Sequence, residues 1–229
     1  MMIEPPSPVL RIAGMQYFTD RNTPSRLIAV WRRQSPSVLS TIDGPVVLVG
    51  HSYGGAVIGE AARGAQNVIS LVFVAAYILD EGESIATVLD PDQFPGGLIG
   101  PATTVQRPFA NANFSGGIDA DLYITTEHFA DVFAGDVPQD RLRLMAFEQR
   151  PLSLSALTGV AAGRPAWHDL PSWALVTEQD HAIPPAGQTW MADRAGANVS
   201  TVDSSHAVMV SHPEAVTQMV IEAVDATSA

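Results

Sequence analysis

The chain has 229 residues, of which 46% are hydrophobic and 16% are charged, and it contains neither Cys nor Lys. The absence of a thiol and of an ε-amino group excludes cysteine hydrolases, thiolate zinc sites, enzymes with a lysine Schiff base and P-loop nucleotidases. The net charge of −12 argues against a nucleic-acid partner. Because the sequence has no signal-peptide pattern and no apolar run near the ~20 residues of a membrane span, we expect a cytoplasmic protein without membrane contact.

Charge is distributed unevenly along the chain. Residues 1–40 carry five Arg against two acidic residues, a net charge of +3, whereas 41–229 carry seven Arg against 22 acidic residues, a net charge of −15. The N-terminal segment 1–43 therefore differs in character from the rest of the chain. Within it, 9–14 predicts one strand, and 23–31 could begin a helix that Pro36 interrupts.

From residue 45 onward, short apolar runs alternate with helical spacing. Residues 45–49 predict a buried parallel strand, 53–63 a helix and 68–75 a second buried strand. This strand–helix–strand unit predicts a right-handed parallel crossover and an α/β fold class. Further along, the pattern predicts strands at 173–177 and 198–202 and helices at 188–195 and 213–224.

The second and third of these strands are separated by roughly 90 residues, too many for a simple connection. Prolines and glycines open this stretch, and helical spacing follows at 126–133 and 139–148. We therefore expect a helical cap, or lid, at about 80–165 within a single domain. Its apolar side chains could either line a pocket or fill the cap's own core; they are Phe109, Phe114, Tyr123, Phe129, Phe133, Met145 and Phe147.

The motif that indicates chemistry is Gly50-His51-Ser52-Tyr53-Gly54, a G-x-S-x-G pattern. The pattern alone is short, but here it follows a buried strand and precedes a helix, as a nucleophile elbow requires. A sharp turn would present the Ser52 hydroxyl, and Gly50 and Gly54 would leave room where side chains would collide. The backbone N–H of Tyr53 would face a developing oxyanion. The structural alternative is a glycine-rich turn whose serine caps the helix.

A serine nucleophile needs a base, and the base needs an orienting acid. His206 lies in a turn between the last predicted strand and the last helix, and it is the preferred base; His212, at the start of that helix, is the competitor. Asp180 follows the strand at 173–177 and is the preferred acid, ahead of Glu178 and Asp80. His181 could instead be a metal ligand, but no second His or carboxylate stands at ligand spacing from it, so no metal is expected.

These residues, taken together, resemble the α/β-hydrolase superfamily. The segments GHSYGGAVI, LVFVAAYILDEGES, PSWALVTEQDHAIPP and SSHAVMVSHPEAV occur in the family's order over residues 44–226. The nearest branch is that of small bacterial esterase-like hydrolases, similar to plant methylesterases and hydroxynitrile lyases. The resemblance implies a catalytic triad of Ser52, Asp180 and His206, a cap over the site and no cofactor.

The chain departs from the family pattern at its N-terminal end. The family usually places a His-Gly loop before the elbow, and that loop donates the second oxyanion N–H; no His-Gly pair precedes Ser52 here. We therefore expect a truncated or frame-altered N-terminus with an incomplete set of strands. An exposed sheet edge would follow, and a homodimer could cover it.

The resemblance and the residues together favour a serine hydrolase acting on a small carboxylic ester. One alternative is a lyase of the hydroxynitrile type on the same triad; it would need a cation from the cap, such as Arg107. The other alternative is a binding protein that keeps the pocket but lacks a working oxyanion hole.

Overall fold

The computed structural model describes residues 9–12 and 38–227. In these ranges the strands, in chain order, are β1 (Val9–Ile12), β2 (Val46–Ser52), β3 (Val68–Ala76), β4 (Thr104–Ala110), β5 (Ile118–Ile124), β6 (Leu152–Ser153), β7 (Ser172–Thr177) and β8 (Asn198–Val202). The α-helices are α1 (Tyr53–Ala61), α2 (Ile85–Val88), α3 (Phe129–Phe133), α4 (Gln139–Glu148), α5 (Leu154–Thr158), α6 (Pro185–Arg194), α7 (Val208–Ser211) and α8 (Pro213–Thr227).

The central sheet is parallel and has the strand order β1-β2-β3-β7-β8. Its inner strands are buried on both faces, as their continuous apolar runs predict. Side chains alternate between the faces: Val46 and Leu48 join the core beneath α1, whereas Val47 and Val49 join the core beneath α8. The α/β fold class is thereby confirmed.

Strand β1 pairs in parallel with β2, Val9 opposite Val46 and Ile12 opposite Val49. The strand predicted at 9–14 is therefore present over residues 9–12, and Ile12 lies opposite a residue three positions before the end of β2. The helix considered at 23–31 falls outside the described residues. No helix within 38–227 is both long enough and apolar enough to cross a membrane.

The long insertion between β3 and β7 differs from the expected helical cap. It contains helices, α4 with the predicted bounds, but it also contains an antiparallel sheet of order β4-β5-β6 that the sequence pattern did not predict. Most of β4 is exposed, so its sequence has no clear apolar alternation. Pro108 stands within β4, which is tolerated because β4 is the edge strand and an edge residue can lack an amide donor.

Candidate active site

The chain turns sharply where β2 ends at Ser52 and α1 begins at Tyr53. Ser52 has φ 55° and ψ −123°, a region that costs about 1–3 kcal/mol for a residue other than Gly. Its side chain makes no capping hydrogen bond to α1, so the helix-cap alternative has no support. The turn is held from β3, because the amide of Tyr77 donates to the Ser52 carbonyl at 3.1 Å.

Of the two motif glycines, only one has the role expected of it. A Cβ on Gly50 would lie 2.5 Å from the carbonyl oxygen of Gly54, so Gly50 is required for space, as predicted. The prediction for Gly54 is wrong, because a Cβ there would meet nothing within 4 Å. The crowded position is Gly55, whose Cβ would lie 2.3 Å from the carbonyl oxygen of Tyr77. The turn is thus packed against β3 one residue beyond the motif.

The structure brings Asp180 and His206 together from two separate loops. Asp180 follows β7, His206 follows β8, and the His206 Nδ1–Asp180 Oδ2 distance is 2.7 Å. Both side chains are buried, with exposed fractions of 1% for His206 and 0% for Asp180. The geometry fits an Nδ1–H donated to a carboxylate, which leaves the Nε2 lone pair of His206 free to accept a proton.

Asp180 is held as a carboxylate by several donors. Thr177 Oγ1 donates to Oδ2 at 2.9 Å and Gln188 Nε2 donates to Oδ2 at 2.7 Å. The amides of Ala182 and Ile183 donate to Oδ1 at 2.8 and 2.9 Å. Burial alone would raise the pKa of Asp180, but the charge of His206 and the hydrogen bonds from His206, Ile183 and Thr177 hold the pKa below its usual value. Gln188 was missed at the sequence level, because only its position on α6, behind the Asp180 loop, gives it this contact.

In the described part of the chain, the alternative candidates for the base and the acid form no hydrogen bond with Asp180 or His206. His212 Nδ1 is 3.6 Å from the carboxylate of Asp136 and contacts Ser211 rather than Asp180. Glu178 is exposed, and Asp80 accepts from His168 Nε2 at 2.9 Å. The structure therefore pairs the preferred base with the preferred acid.

His51 supports His206 from the elbow side. Its Nε2–H donates to the backbone carbonyl of His206 at 2.9 Å, and the two rings lie 4.6 Å apart. Burial, followed by the nearby charge of His206, lowers the pKa of His51 to about 3. His51 is therefore neutral at physiological pH and fixes the backbone of its neighbour without competing for the proton.

Comparison with known proteins identifies the family of this chain. A family model described as the alpha/beta hydrolase family matches residues 18–219. The chain belongs to the α/β-hydrolase family. An α/β hydrolase from Aspergillus novofumigatus, nvfD, is 27% identical over 193 residues, spanning 76% of this chain and 68% of that protein.

Solved structures share the fold of this α/β hydrolase at low identity. A pyrethroid hydrolase from Sphingobium faniae JZ-2 has a TM-score of 0.69 at 21% identity, covering 88% of this chain and 79% of that one. Polyneuridine aldehyde esterase has a TM-score of 0.67 at 19% identity, covering 83% and 77%. The methylesterase MES16 from Arabidopsis has a TM-score of 0.65 at 17% identity, covering 85% and 76%. Esterases thus recur among the hydrolases that share this fold.

Ser52 and His206 of this α/β hydrolase line one cavity of about 330 Å³. Within the described part of the chain, no group hydrogen-bonds the buried Nε2 of His206. Most of the remaining lining is apolar and comes largely from the insertion; it includes Tyr77, Ile85, Ile99, Leu122, Tyr123, Phe129, Phe133, Met145, Leu152, Leu157 and Ile183. Of the apolar side chains considered earlier, Tyr123, Phe129, Phe133 and Met145 line the cavity, whereas Phe147 is 82% exposed.

Two arginines bear on the lyase alternative. The guanidinium of Arg107 lies 4.9 Å from the ring centroid of Tyr123 and lines a different surface cavity. Arg150, which the sequence did not single out, is the arginine among the residues that line the Ser52 cavity. No group of three potential metal ligands occurs among the described residues.

Proposed function

We propose that this protein is a serine hydrolase that cleaves a small carboxylic ester through an acyl-enzyme intermediate. One observation carries the proposal: a strained serine at a strand-to-helix turn shares an apolar cavity with a buried histidine that is paired with a carboxylate. This arrangement supplies a nucleophile, a base and an orienting acid at the carboxyl ends of parallel strands.

In the proposed reaction, Ser52 Oγ attacks the ester carbonyl carbon while His206 Nε2 takes the hydroxyl proton. The Tyr53 amide opens α1, so it has no partner inside the helix and can donate to the oxyanion. Collapse of the tetrahedral intermediate expels the alcohol, which receives the proton from His206. Water then attacks the acyl-enzyme with His206 again as base, releasing the acid and restoring Ser52. Asp180 keeps the imidazole in the required tautomer and stabilises its cationic form.

The lining of the cavity supports a substrate with an apolar acyl or alkoxy group of modest size. Aromatic and aliphatic side chains surround Ser52, and a cavity of about 330 Å³ lies at the small end of ligand sites. The loss of the second oxyanion donor stays a prediction, because residues 13–37 lie outside the described part of the chain. The cytoplasmic location, the homodimer and the role of the insertion as a cap also stay predictions.

The test is turnover of p-nitrophenyl acetate together with covalent labelling by a fluorophosphonate. Ser52→Ala should abolish both, because it removes the attacking oxygen. Ser115→Ala, at an exposed serine of the insertion, is the matched control and should keep both. A wild-type protein that folds but neither turns over the ester nor labels would overturn the proposal and favour the binding-protein alternative. Cyanohydrin cleavage without ester turnover would favour the lyase.

A further inference from the structure

A carboxylate of the insertion contacts the loop that carries His206. Asp136, three residues beyond α3, accepts a hydrogen bond at Oδ2 from Ser204 Oγ at 2.8 Å and from the Ser205 amide at 3.1 Å. Ser205 Oγ donates to Oδ1 of the same carboxylate. Both serines immediately precede His206, so one side chain from a distant part of the chain fixes the backbone beside the base.

The same loop has further contacts with the insertion and with α7. Ser205 Oγ lies 3.3 Å from the Phe133 carbonyl, and the Phe133 ring packs edge-on against the His206 ring at 4.7 Å between centroids. Ser204 Oγ also lies 2.9 Å from Ser211 Oγ. The residues between β8 and α7 form no helix or strand of their own. This loop is therefore held by side-chain contacts together with a backbone hydrogen bond, in which the Gln179 amide donates to the Ser204 carbonyl at 3.0 Å.

The negative charge of Asp136 strengthens its hydrogen bonds to the loop of His206. Burial acts to raise the pKa of Asp136, but the hydrogen bonds from Ser205, Ser211 and Ser204 outweigh it, and the pKa is lowered. The carboxylate is therefore ionised in the neutral range and can accept from three donors at once. The side chain is 24% exposed, so water screens only part of the interaction.

We propose that Asp136 is a positioning residue through which the insertion holds the general base in place for catalysis. His206 is then fixed from three directions: by Asp180 at Nδ1, by His51 at its backbone carbonyl, and by Asp136 through Ser204 and Ser205. The inference rests on the proposed function for its catalytic consequence. Its structural part, that Asp136 sets the position of the imidazole, stands independently of that function.

The first measurement is steady-state turnover of p-nitrophenyl acetate by Asp136→Ala and Asp136→Asn. Removal of the acceptors lets the loop move, and a misplacement of about 1 Å in a catalytic group can cost about 100-fold. We expect Asp136→Ala to lower kcat by about 10–100-fold with KM nearly unchanged, because His206 acts in the transition state rather than in substrate binding. The kcat of Asp136→Asn should lie between those of Asp136→Ala and the wild type, and Asp136→Glu should recover part of the lost kcat.

The matched control is Asp140→Asn, the same chemical change at an exposed residue in the first turn of α4. It should leave kcat unchanged. Ser205→Ala, which removes the partner hydroxyl instead of the carboxylate, provides a second route if the Asp136 variants fold poorly. In a double-mutant cycle the losses from Asp136→Asn and Ser205→Ala should be strongly non-additive, because both remove the same hydrogen bond.

The second measurement does not depend on activity. The proton in the His206 Nδ1–Asp180 hydrogen bond should give a low-field NMR resonance, which Asp136→Asn should shift or broaden and Asp140→Asn should leave in place. An unchanged resonance and a kcat equal to that of Asp140→Asn would overturn the proposal. If the resonance responds but the wild type shows no Ser52-dependent turnover, the positioning role stands and the proposed esterase function fails.

Discussion

The two adjacent glycines at the start of α1 should respond in opposite ways to the same substitution. Gly54 belongs to the G-x-S-x-G motif, yet a Cβ there meets nothing within 4 Å. Gly55 lies outside the motif, yet its Cβ would lie 2.3 Å from the Tyr77 carbonyl oxygen and 2.8 Å from the Cβ of Ala76. Gly54→Ala and Gly55→Ala therefore differ only in the packing they encounter.

The expected change in unfolding free energy depends on helix propensity and on overpacking. In a helix, Ala is favoured over Gly by roughly 0.5–1 kcal/mol, so Gly54→Ala should leave stability unchanged or raise it slightly. At Gly55 the same gain is opposed by overpacking, which typically costs about 1–3 kcal/mol and more where backbone must move. The obstacle here is backbone, and the Tyr77 amide is bonded to Ser52. We expect a net destabilisation of about 2 kcal/mol, or roughly 4–8 °C in Tm for a chain of this size.

Urea unfolding followed by circular dichroism measures both variants against the wild type, with Tm from calorimetry as a second observable. Because Tyr77 anchors the elbow, Gly55→Ala should also lower the rate of fluorophosphonate labelling at Ser52, whereas Gly54→Ala should lower it less. Equal stability of the two variants would refute the packing argument. A larger loss of stability in Gly54→Ala would show that the motif glycine is needed for a reason other than space.

Two further predictions concern the buried groups behind the site. Gln188→Leu removes one of the donors to Asp180 Oδ2, so it should lower the unfolding free energy by about 1–3 kcal/mol and lower kcat. Gln93→Leu, the same change at an exposed glutamine, should do neither, and equal unfolding midpoints of the two variants in urea would contradict the prediction. The pKa of His51 is about 3 in the folded protein, against an ordinary 6.5, so the unfolded chain takes up a proton first as pH falls. Stability should therefore decline from about pH 6.5 downward, and His51→Gln should flatten that decline in urea titrations; an unchanged pH slope would contradict the assignment.

The parts predicted well from sequence are those with strong local signals. The apolar runs around Val46–Ser52 and Val68–Ala76 predicted the central strands, since a buried parallel strand is apolar on both faces. Asp180 and His206 were each predicted to lie just after the end of a strand. The parallel sheet brings those strand ends to one edge, where His206 Nδ1 lies 2.7 Å from Asp180 Oδ2. Their catalytic role stays a prediction.

The parts that were missed depend on contacts between distant segments. Asp136 and Ser205 are 69 residues apart, and no local pattern links them. Gln188 looks like an ordinary helix residue until α6 packs behind the Asp180 loop. The insertion sheet was missed because β4 is exposed along most of its length, so burial imposes no alternation on its sequence.

Most residues of the insertion that line the cavity differ from those that contact the loop of His206, and Phe133 is the exception that does both. Leu122, Tyr123 and Leu152 line the cavity from strands β5 and β6, whereas Asp136 lies in the segment that connects these two strands. Substitutions at the three cavity residues should alter which esters fit while leaving His206 in place. Changes at Asp136 instead remove support from His206, the proposed base, and should slow the hydrolysis of every ester alike, because the same imidazole would serve each reaction. A common decrease in kcat across substrates, rather than a change in their ranking, would therefore distinguish loss of positioning from loss of fit.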